Sequence, residues 1–279
     1  MNKYNKEISL IEQKKLLLNI LDTIDAFCEE YNIRYFLTGG TLLGAIRHKG
    51  FIPWDDDIDI AMLRPDYERF IALFNKYNER YKVIHYSNTP GYYYAFAKVI
   101  DNKTALIEEN IDNSLEIGAY VDVFPIDFGT DSIDETYAIR SKKMMPWLIM
   151  DSIKTMDRNK TRKYYKTVLM HILKLALKPI PLQYIVQRID EVAKINIKKT
   201  DAEYCGALVI LMYGKKEIMR TEWYSKSIKV DFENHLFYAP LEYKKVLTNL
   251  YGDYMELPPV EKRISHHHYK LYWKTESLE

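Results

Sequence analysis

Four aspartates fall within five residues of this sequence, in the run Asp55-Asp56-Asp57-Ile58-Asp59-Ile60. The end of the run alternates acidic and apolar residues, as a strand does when one of its faces is buried. On such a strand Asp57 and Asp59 share a face, with Cα atoms about 7 Å apart, so both carboxylates can reach one divalent cation. Because clustered carboxylates repel one another until a cation neutralises them, the pattern predicts a metal site.

Two other interpretations of this acidic segment fit the residues less well. An exposed acidic loop would not require the apolar residues Ile58 and Ile60 between its acids. A calcium-binding EF-hand loop that began at Asp55 would need glycine at its sixth position and glutamate at its twelfth, where the sequence has Ile60 and Asp66. The alternation therefore favours a strand whose acids face a metal ion.

A glycine-rich turn precedes the acidic segment. Gly39, Gly40 and Thr41 follow a predicted strand and open a predicted helix, so the backbone can approach a ligand and free N–H groups can face a phosphate. The Lys-Ser/Thr ending of a Walker A loop is absent, so this turn is not that motif. Arg47 would neutralise phosphate charge, and an ordinary position on the helix surface is the alternative.

A third carboxylate is expected from a neighbouring strand. Asp122 lies between Val121 and Val123 in an apolar run, where an unpaired aspartate would be costly to bury. Asp57, Asp59 and Asp122 are therefore the predicted catalytic and metal-binding residues, with Mg²⁺, or Mn²⁺ in its place, bound to a diphosphate. The metal would stabilise charge on the transferred and leaving oxygens, and Asp122 would also accept the proton of the acceptor.

Hydrophobic periodicity predicts the elements that must position these residues. An amphipathic helix begins at Ser9, which has capping-box spacing to Glu12, and ends near Asn32. Further helices are expected over 41–48 and after Pro65. The predicted strands cover residues 34–38, 57–62, 83–86, 93–100 and 119–124. The first part of the chain is thus expected to be a mixed β-sheet core flanked by helices.

The pattern becomes mainly helical after Gly129, with breaks at Pro146 and at Pro179-Ile180-Pro181. Strands over 205–213 and 229–238 and a helix over 240–250 follow. The predicted fold class is α+β, with a helical subdomain inserted into the sheet core. The predicted domain boundaries are a catalytic core over 1–128, a helical and basic insertion over 129–204, and a C-terminal region over 205–279 that completes the site.

Composition limits the classes of function. The 40 Lys and Arg nearly cancel the 39 Asp and Glu among 279 residues, which argues against nucleic acid as a partner. Cys28 and Cys205 are too few for a disulfide framework or a four-thiolate zinc site. The charged N-terminus indicates no signal peptide, and no window is apolar enough for a transmembrane helix, so a cytoplasmic location is expected.

Charge is nevertheless segregated along the chain. Residues 101–135 hold ten acidic side chains and one basic one, whereas residues 140–178 hold eleven basic side chains and two acidic ones. The basic stretch also contains runs of aliphatic residues. Such a helix could contact an anionic membrane surface, or it could pack on the core and present a solvated lysine face.

The motifs between Gly39 and Asp59 resemble those of the LicD family of phosphocholine transferases. That family belongs to the nucleotidyltransferase-fold superfamily, which also includes the fukutin-related ribitol-phosphate transferases. Further matching stretches are Ala97-Lys98-Val99, Val121 to Asp127 and, more loosely, Leu257-Pro258-Pro259 with Arg263 and His266-His267. The resemblance covers residues 31–128 closely and about 250–268 loosely, and it implies a nucleotidyltransferase-like core.

The resemblance implies a Mg²⁺-dependent transfer of phosphocholine, or a similar phospho-alcohol, from a CDP-linked donor to a hydroxyl of a cell-surface glycan, with release of CMP. The expected partners are CDP-choline or another CDP-alcohol and an acceptor such as teichoic acid, capsule or lipopolysaccharide, with a lipid-linked acceptor met at the inner face of the plasma membrane as one option. The alternative is a nucleotidyltransferase that moves a nucleotide onto an RNA, a protein or a small molecule. The expected substrate-binding residues are Gly39, Gly40, Thr41, Arg47, Trp54, Lys98, Arg263, His266 and His267.

Several of these assignments have a plain alternative. Lys98 would neutralise donor phosphate or lie at the surface at a strand end. One of His266 and His267 would contact substrate or phosphate together with Arg263, or the segment would be a surface tail; three consecutive histidines rarely point at one ion. A trimethylammonium group would need an aromatic cage, for which Trp54 and the run Tyr92–Tyr94 are the candidates.

Overall fold

The computed structural model describes residues 4–108, 115–155, 164–263 and 269–275. The strands of these residues are β1 (Tyr4–Glu7), β2 (Phe36–Leu37), β3 (Asp59–Leu63), β4 (Tyr81–Ile84), β5 (Ala97–Asp101), β6 (Thr104–Glu108), β7 (Tyr120–Phe128), β8 (Tyr204–Gly206), β9 (Met219–Arg220), β10 (Ser227–Phe232), β11 (His235–Pro240) and β12 (Tyr269–Lys274). The helices are α1 (Leu10–Glu30), α2 (Gly39–Arg47), α3 (Arg64–Leu73), α4 (Ile133–Lys143), α5 (Met145–Thr155), α6 (Tyr164–Ala176), α7 (Leu182–Ala193) and α8 (Tyr243–Tyr251).

The main sheet has the strand order β2-β3-β7-β5-β4, and β8 and β9 extend it beside the end of β7. Strands β3 and β7 are parallel, whereas the other neighbours in this sheet are antiparallel. Four of the five residues of β3 are buried, as is usual for a strand in a parallel pair that is covered on both sides. The sheet is therefore mixed, and the predicted α+β class is confirmed.

A smaller sheet joins distant parts of the chain. Its strand order is β1-β12-β6, so β12 pairs with a strand on either side. Helix α1 follows β1 directly, and Ser9 caps its start. The Ser9 Oγ accepts a hydrogen bond from the backbone N–H of Glu12 at 3.3 Å. The predicted start of α1 is therefore confirmed. The Trp273 indole N–H donates to Glu12 Oε1 at 2.9 Å, which ties α1 to β12.

One hydrophobic core combines the two ends of the sequence. It contains α1 residues such as Ile20, residues of β3 and β7, and Phe232, Leu247 and Leu271 from beyond residue 205. A second cluster lies where α7 and the start of α5 pack against residues near Leu208. Region 205–279 thus shares its core with region 1–128, and the predicted boundary at 204/205 falls inside β8. None of the described helices combines the length and the apolar character that are needed to cross a bilayer.

Several predicted strands differ from those observed, and the strand predicted over 93–100 forms only from Ala97 onward. The segment 229–238 is a hairpin of β10 and β11, in which Glu233 and Asn234 adopt positive φ angles of 54° and 65°. Consecutive left-handed residues form the two-residue turn that suits a hairpin, but Glu233 is an unusual residue for it, and the sequence therefore did not reveal the turn. The segment 205–213 forms a strand only over β8, and the strand predicted over 57–62 begins at Asp59.

Candidate active site

A single cavity of about 840 Å³ brings together most of the residues predicted from the sequence. Asp57, Asp59 and Asp122 all line it. It is also lined by the predicted substrate-binding residues Gly39, Gly40, Arg47 and Trp54. Because these residues come from β3, β7, α2 and the loop between α2 and β3, the cavity lies where the parallel strand pair meets the glycine-rich turn.

The parallel pairing of β3 and β7 places two of the aspartates side by side. Asp59 and Asp122 are register partners, and the Asp122 backbone N–H donates to the Ile58 carbonyl at 2.9 Å. The neighbouring strand thus brings the carboxylate of Asp122 next to Asp59. The prediction that Asp57 lies on the same strand face as Asp59 is wrong, because Asp57 precedes β3. Asp57 nevertheless reaches the same cavity.

Electrostatic repulsion is strong in this cavity. Burial raises the pKa of Asp59 well above its usual value, and the neighbouring charges of Asp57, Asp122 and Asp55 raise it further. Lys98 opposes this effect but does not outweigh it. Carboxylates in this arrangement are stabilised by added positive charge, which is the electrostatic condition for binding a cation.

The glycine-rich turn lies directly against the carboxylates. Gly39 has a φ angle of 55°, in the left-handed region that favours glycine. A Cβ atom on Gly40 would lie 2.6 Å from Asp55 Oδ2, and one on Gly39 would lie 3.3 Å from Asp59 Oδ2. Larger residues at 39 and 40 would therefore displace the acidic side chains, so the turn and the acids form one unit.

Thr41 positions Asp59 from inside the protein. Its hydroxyl accepts a hydrogen bond from the Asp59 backbone N–H at 2.8 Å, and its side chain is buried. Thr41 is not among the residues that line the cavity in the described part of the chain, in contrast to Gly39 and Gly40. In this structure its contact is with the start of β3.

Lys98 is buried and pairs with Asp122. It is 5% exposed, and its Nζ lies 2.5 Å from Asp122 Oδ1 and 3.5 Å from the centre of the Tyr120 ring. The alternative interpretation, in which Lys98 lies at the surface at a strand end, is therefore wrong. Within the described chain Lys98 lies behind the cavity wall, where it orients and neutralises a carboxylate.

Of the two predicted arginines, Arg47 lines the cavity, whereas Arg263 lies against Trp54 and is not among its described lining residues. The Arg47 guanidinium donates to the carbonyl oxygens of Tyr254 at 2.9 Å and Glu256 at 3.1 Å. The guanidinium of Arg263 lies over the Trp54 ring at 5.6 Å and donates to the Pro258 carbonyl. Burial, and then the positive charge of Arg263, lower the pKa of Arg47.

His266 and His267, predicted beside Arg263, lie outside the described residues.

The aromatic wall of the cavity consists mainly of residues that the sequence did not single out. Tyr92, Tyr93 and Tyr94 do not line the cavity in the described structure, and the Tyr92 hydroxyl donates to the Phe96 carbonyl. Trp54 does line it. The other aromatic residues of the wall are Phe96, Phe124, Tyr213, Tyr224, Tyr251 and Tyr254. With 24 tyrosines in the chain, composition gave no means of selecting these.

Glu217 and Gln13 are two further polar residues that the sequence analysis missed. Glu217 lines the cavity, and burial raises its pKa to about 7. Gln13 donates to the Asp56 carbonyl and to the Tyr269 hydroxyl, both at 2.9 Å, and so connects α1 to the acidic loop and to β12. A signal for Gln13 existed, because it is a polar residue on the apolar face of α1.

The carboxylates around the cavity meet part of the requirements of a divalent cation. Among the described residues, no group of three or more His, Cys, Asp and Glu side chains is arranged to hold a metal ion by itself. Asp57 and Asp59 still suit Mg²⁺, which commonly binds to one or two carboxylates and completes its shell with substrate phosphates and water. Burial and then the neighbouring carboxylates raise the pKa of Asp59, and a cation would offset both effects.

Comparison with known proteins identifies the family. Residues 32–146 match the model described as "LicD/FKTN/FKRP, nucleotidyltransferase domain". The chain is 35% identical over 275 residues to the lipopolysaccharide cholinephosphotransferase LicD of Haemophilus influenzae, covering 96% of this chain and 99% of that protein. It is also 50% identical over 38 residues to the human ribitol 5-phosphate transferase FKRP, which is 14% of this chain and 8% of that protein. The chain therefore belongs to the LicD family, as its motifs predicted.

Proposed function

We propose that this protein transfers phosphocholine from CDP-choline to a hydroxyl of a cell-surface glycan and releases CMP. The observation that carries the proposal is the cavity in which Asp57, Asp59 and Asp122 face an aromatic wall, with Arg47 at its side. The full-length similarity to a lipopolysaccharide cholinephosphotransferase supports the same activity. The acceptor classes in this proposal are lipopolysaccharide, teichoic acid and capsule.

The proposed reaction forms one bond and breaks one. The acceptor oxygen bonds to the phosphorus that carries choline, and the bond between this phosphorus and the bridging oxygen breaks, so that the oxygen leaves with CMP. Asp122 accepts the proton of the attacking hydroxyl. Its carboxylate is held by Lys98, which fixes its direction at the end of the β5–β7 pairing.

Charge on the diphosphate is neutralised from two sides in this proposal. Asp57 and Asp59 hold Mg²⁺, with Mn²⁺ as a substitute, and the ion stabilises charge on the donor oxygens when it is bound. Arg47, which lines the cavity, has a guanidinium group that suits phosphate oxygens, and Arg263 adds positive charge behind Trp54. The turn at Gly39 and Gly40 allows the donor to approach the backbone.

The aromatic wall supports choline over an uncharged polyol. Tyr213 and Tyr251 pack edge to face at 5.7 Å, and both line the cavity, as does Glu217. Aromatic faces attract a quaternary ammonium group, and a nearby carboxylate strengthens the attraction. Ribitol and glycerol carry no positive charge and would gain nothing from these groups.

A nucleotidyltransferase reaction is the second candidate, because the matching family model describes a nucleotidyltransferase domain. In that reaction a nucleoside triphosphate would lose pyrophosphate and the nucleotide would be transferred. The carboxylates of the cavity would serve both reactions, so the released product is what distinguishes them.

The test measures products of the purified full-length chain with Mg²⁺ and a choline-free lipopolysaccharide acceptor. CDP-choline, CDP-ribitol and CDP-glycerol are supplied in turn, and in parallel each nucleoside triphosphate. We expect CMP and a choline-bearing acceptor from CDP-choline alone, loss of the reaction on chelation by EDTA, and its return with Mg²⁺. Pyrophosphate release from a triphosphate, without CMP from any CDP-alcohol, would contradict the proposal.

A further inference from the structure

Helix α6 presents aliphatic side chains on two sides. Met170 and Leu173, together with Leu177 just beyond the helix, are partly buried, and α6 contacts α5. The remaining large aliphatic residues point to solvent: Val168 (41% exposed), Leu169 (54%), Ile172 (58%) and Leu175 (70%). These four residues form the aliphatic face of α6. An ordinary surface helix exposes polar residues on the side away from the core. The exposed aliphatic face of α6 departs from this pattern.

The residues of the aliphatic face lie along one line of the helix. Val168, Ile172 and Leu175 are spaced by four and three residues, and Leu169 lies beside them. The helix is also fixed at its end, because Lys154 of α5 donates from its Nζ to the Leu177 carbonyl at 2.9 Å and also to the Ile180 carbonyl. The face is therefore a stable surface of the protein.

The segment that carries this face is basic. Residues 164–182 contain three lysines, Lys166, Lys174 and Lys178, and no aspartate or glutamate. Two copies of this segment packed against each other would bring like charge to like charge. Anionic lipid headgroups would instead attract the segment, while the hydrocarbon below them would cover the aliphatic side chains.

We propose that the aliphatic face of α6 docks on a bilayer that contains anionic lipid, with the helix lying parallel to the membrane plane. Ile172, Leu169 and Leu175 enter the boundary between headgroups and acyl chains. Lys178, which is exposed at the end of the helix, remains at headgroup level. This surface is separate from the cavity residues, so the proposal holds whatever the enzyme transfers.

The experiment is co-sedimentation of the full-length chain with vesicles of phosphatidylcholine, with and without phosphatidylglycerol. We expect binding to the anionic vesicles that weakens as salt is added. Ile172→Ser should reduce the partition coefficient about tenfold. Lys178→Gln should reduce it about fivefold. Circular dichroism and thermal unfolding confirm that each variant is folded.

Leu236→Ser is the matched control, because Leu236 and Ile172 are both 58% exposed and Leu236 lies on the β10–β11 hairpin. This control should bind anionic vesicles as the unchanged protein does. Equal losses in Ile172→Ser and Leu236→Ser, or no binding to either type of vesicle, would overturn the proposal. A concentration-dependent dimer that Ile172→Ser dissociates, with no vesicle binding, would also overturn it and assign the face to a second copy.

Discussion

The centre of the main sheet and the helical layer formed by α4 to α7 are built in opposite ways. In the sheet, Ile60, Met62 and Val123 are fully excluded from solvent, and strand register fixes each residue relative to its neighbours. In the helical layer, α5 has no fully buried residue, and α6 exposes its aliphatic face. The sheet can hold carboxylates at fixed separations, whereas α5 and α6 leave much of their surface to solvent.

The two regions are joined by a buried ionic cluster of Arg64, Asp127 and Asp190. Arg64, directly after β3, lies 2.6 Å from Asp127 of β7 and 2.9 Å from Asp190 of α7. Burial alone would raise the pKa of Asp190, but Arg64 and Lys194 outweigh it and lower that pKa. This cluster attaches α7 to the strand pair that carries the acidic site.

The largest effect is expected at the sheet. Asp59→Asn should reduce transfer from CDP-choline by at least about a thousandfold, equivalent to about 4 kcal/mol in the transition state. Removing one of several repelling carboxylates should leave the free energy of unfolding unchanged or increased. Transfer rates and urea unfolding measure the two effects. Asp201→Asn, at an exposed position, is the control, and full activity in Asp59→Asn would refute the assigned role.

A smaller effect is expected at the junction. Arg64→Leu leaves Asp127 and Asp190 buried without their shared cation and should lower the free energy of unfolding by about 3 kcal/mol, with Lys194 compensating in part. Hydrogen exchange should rise first in α7, because that helix loses its attachment to the sheet. Arg69→Leu, which removes an exposed arginine from the same helix, should cost less than about 0.5 kcal/mol. Similar losses in the two variants would show that the cluster does not join the regions.

The smallest effect is expected inside the helical layer. Asp151 Oδ1 is buried without a hydrogen-bond partner among the described residues, and burial raises the pKa of Asp151 to about 6. The protonated side chain therefore makes its full contribution to stability below pH 3.8, the ordinary pKa of this group. That contribution is lost as pH rises through about 6.

Asp151→Asn stays neutral, so it should be more stable than the unchanged protein by about 1 kcal/mol at about pH 8 and equal to it at about pH 4. Thermal unfolding across this range is the measurement, with Asp201→Asn as the control. Parallel stability curves for the protein and Asp151→Asn would contradict the prediction.

The sequence was most informative where short-range rules decide the structure. Alternation around Asp59 and Asp122 predicted two buried strands, and the parallel pairing indeed makes these residues neighbours. The start of α1 at Ser9 and the end of α8 before Gly252 follow from local capping and glycine signals. Such features depend on residues within a few positions of one another.

Contacts across long sequence separations could not be predicted. Arg47 donates to the carbonyls of two residues that lie 207 and 209 positions further along the chain. Lys98 pairs with Asp122 only because β5 and β7 become neighbours. The tyrosines of the aromatic wall come from segments that converge only in the folded chain. Nothing in the residue types distinguishes Tyr251 from Tyr92, and only the fold decides which of them lines the cavity.

The position of β12 has a consequence for biosynthesis. β1 and β6 are both synthesised before β12, the strand with which each of them pairs. Until residues 269–274 emerge from the exit tunnel, these two strands have unpaired backbone groups that nascent-chain chaperones or neighbouring polypeptides can bind. The time needed to translate the segment between β6 and β12 therefore sets how long the newborn chain is open to misassembly.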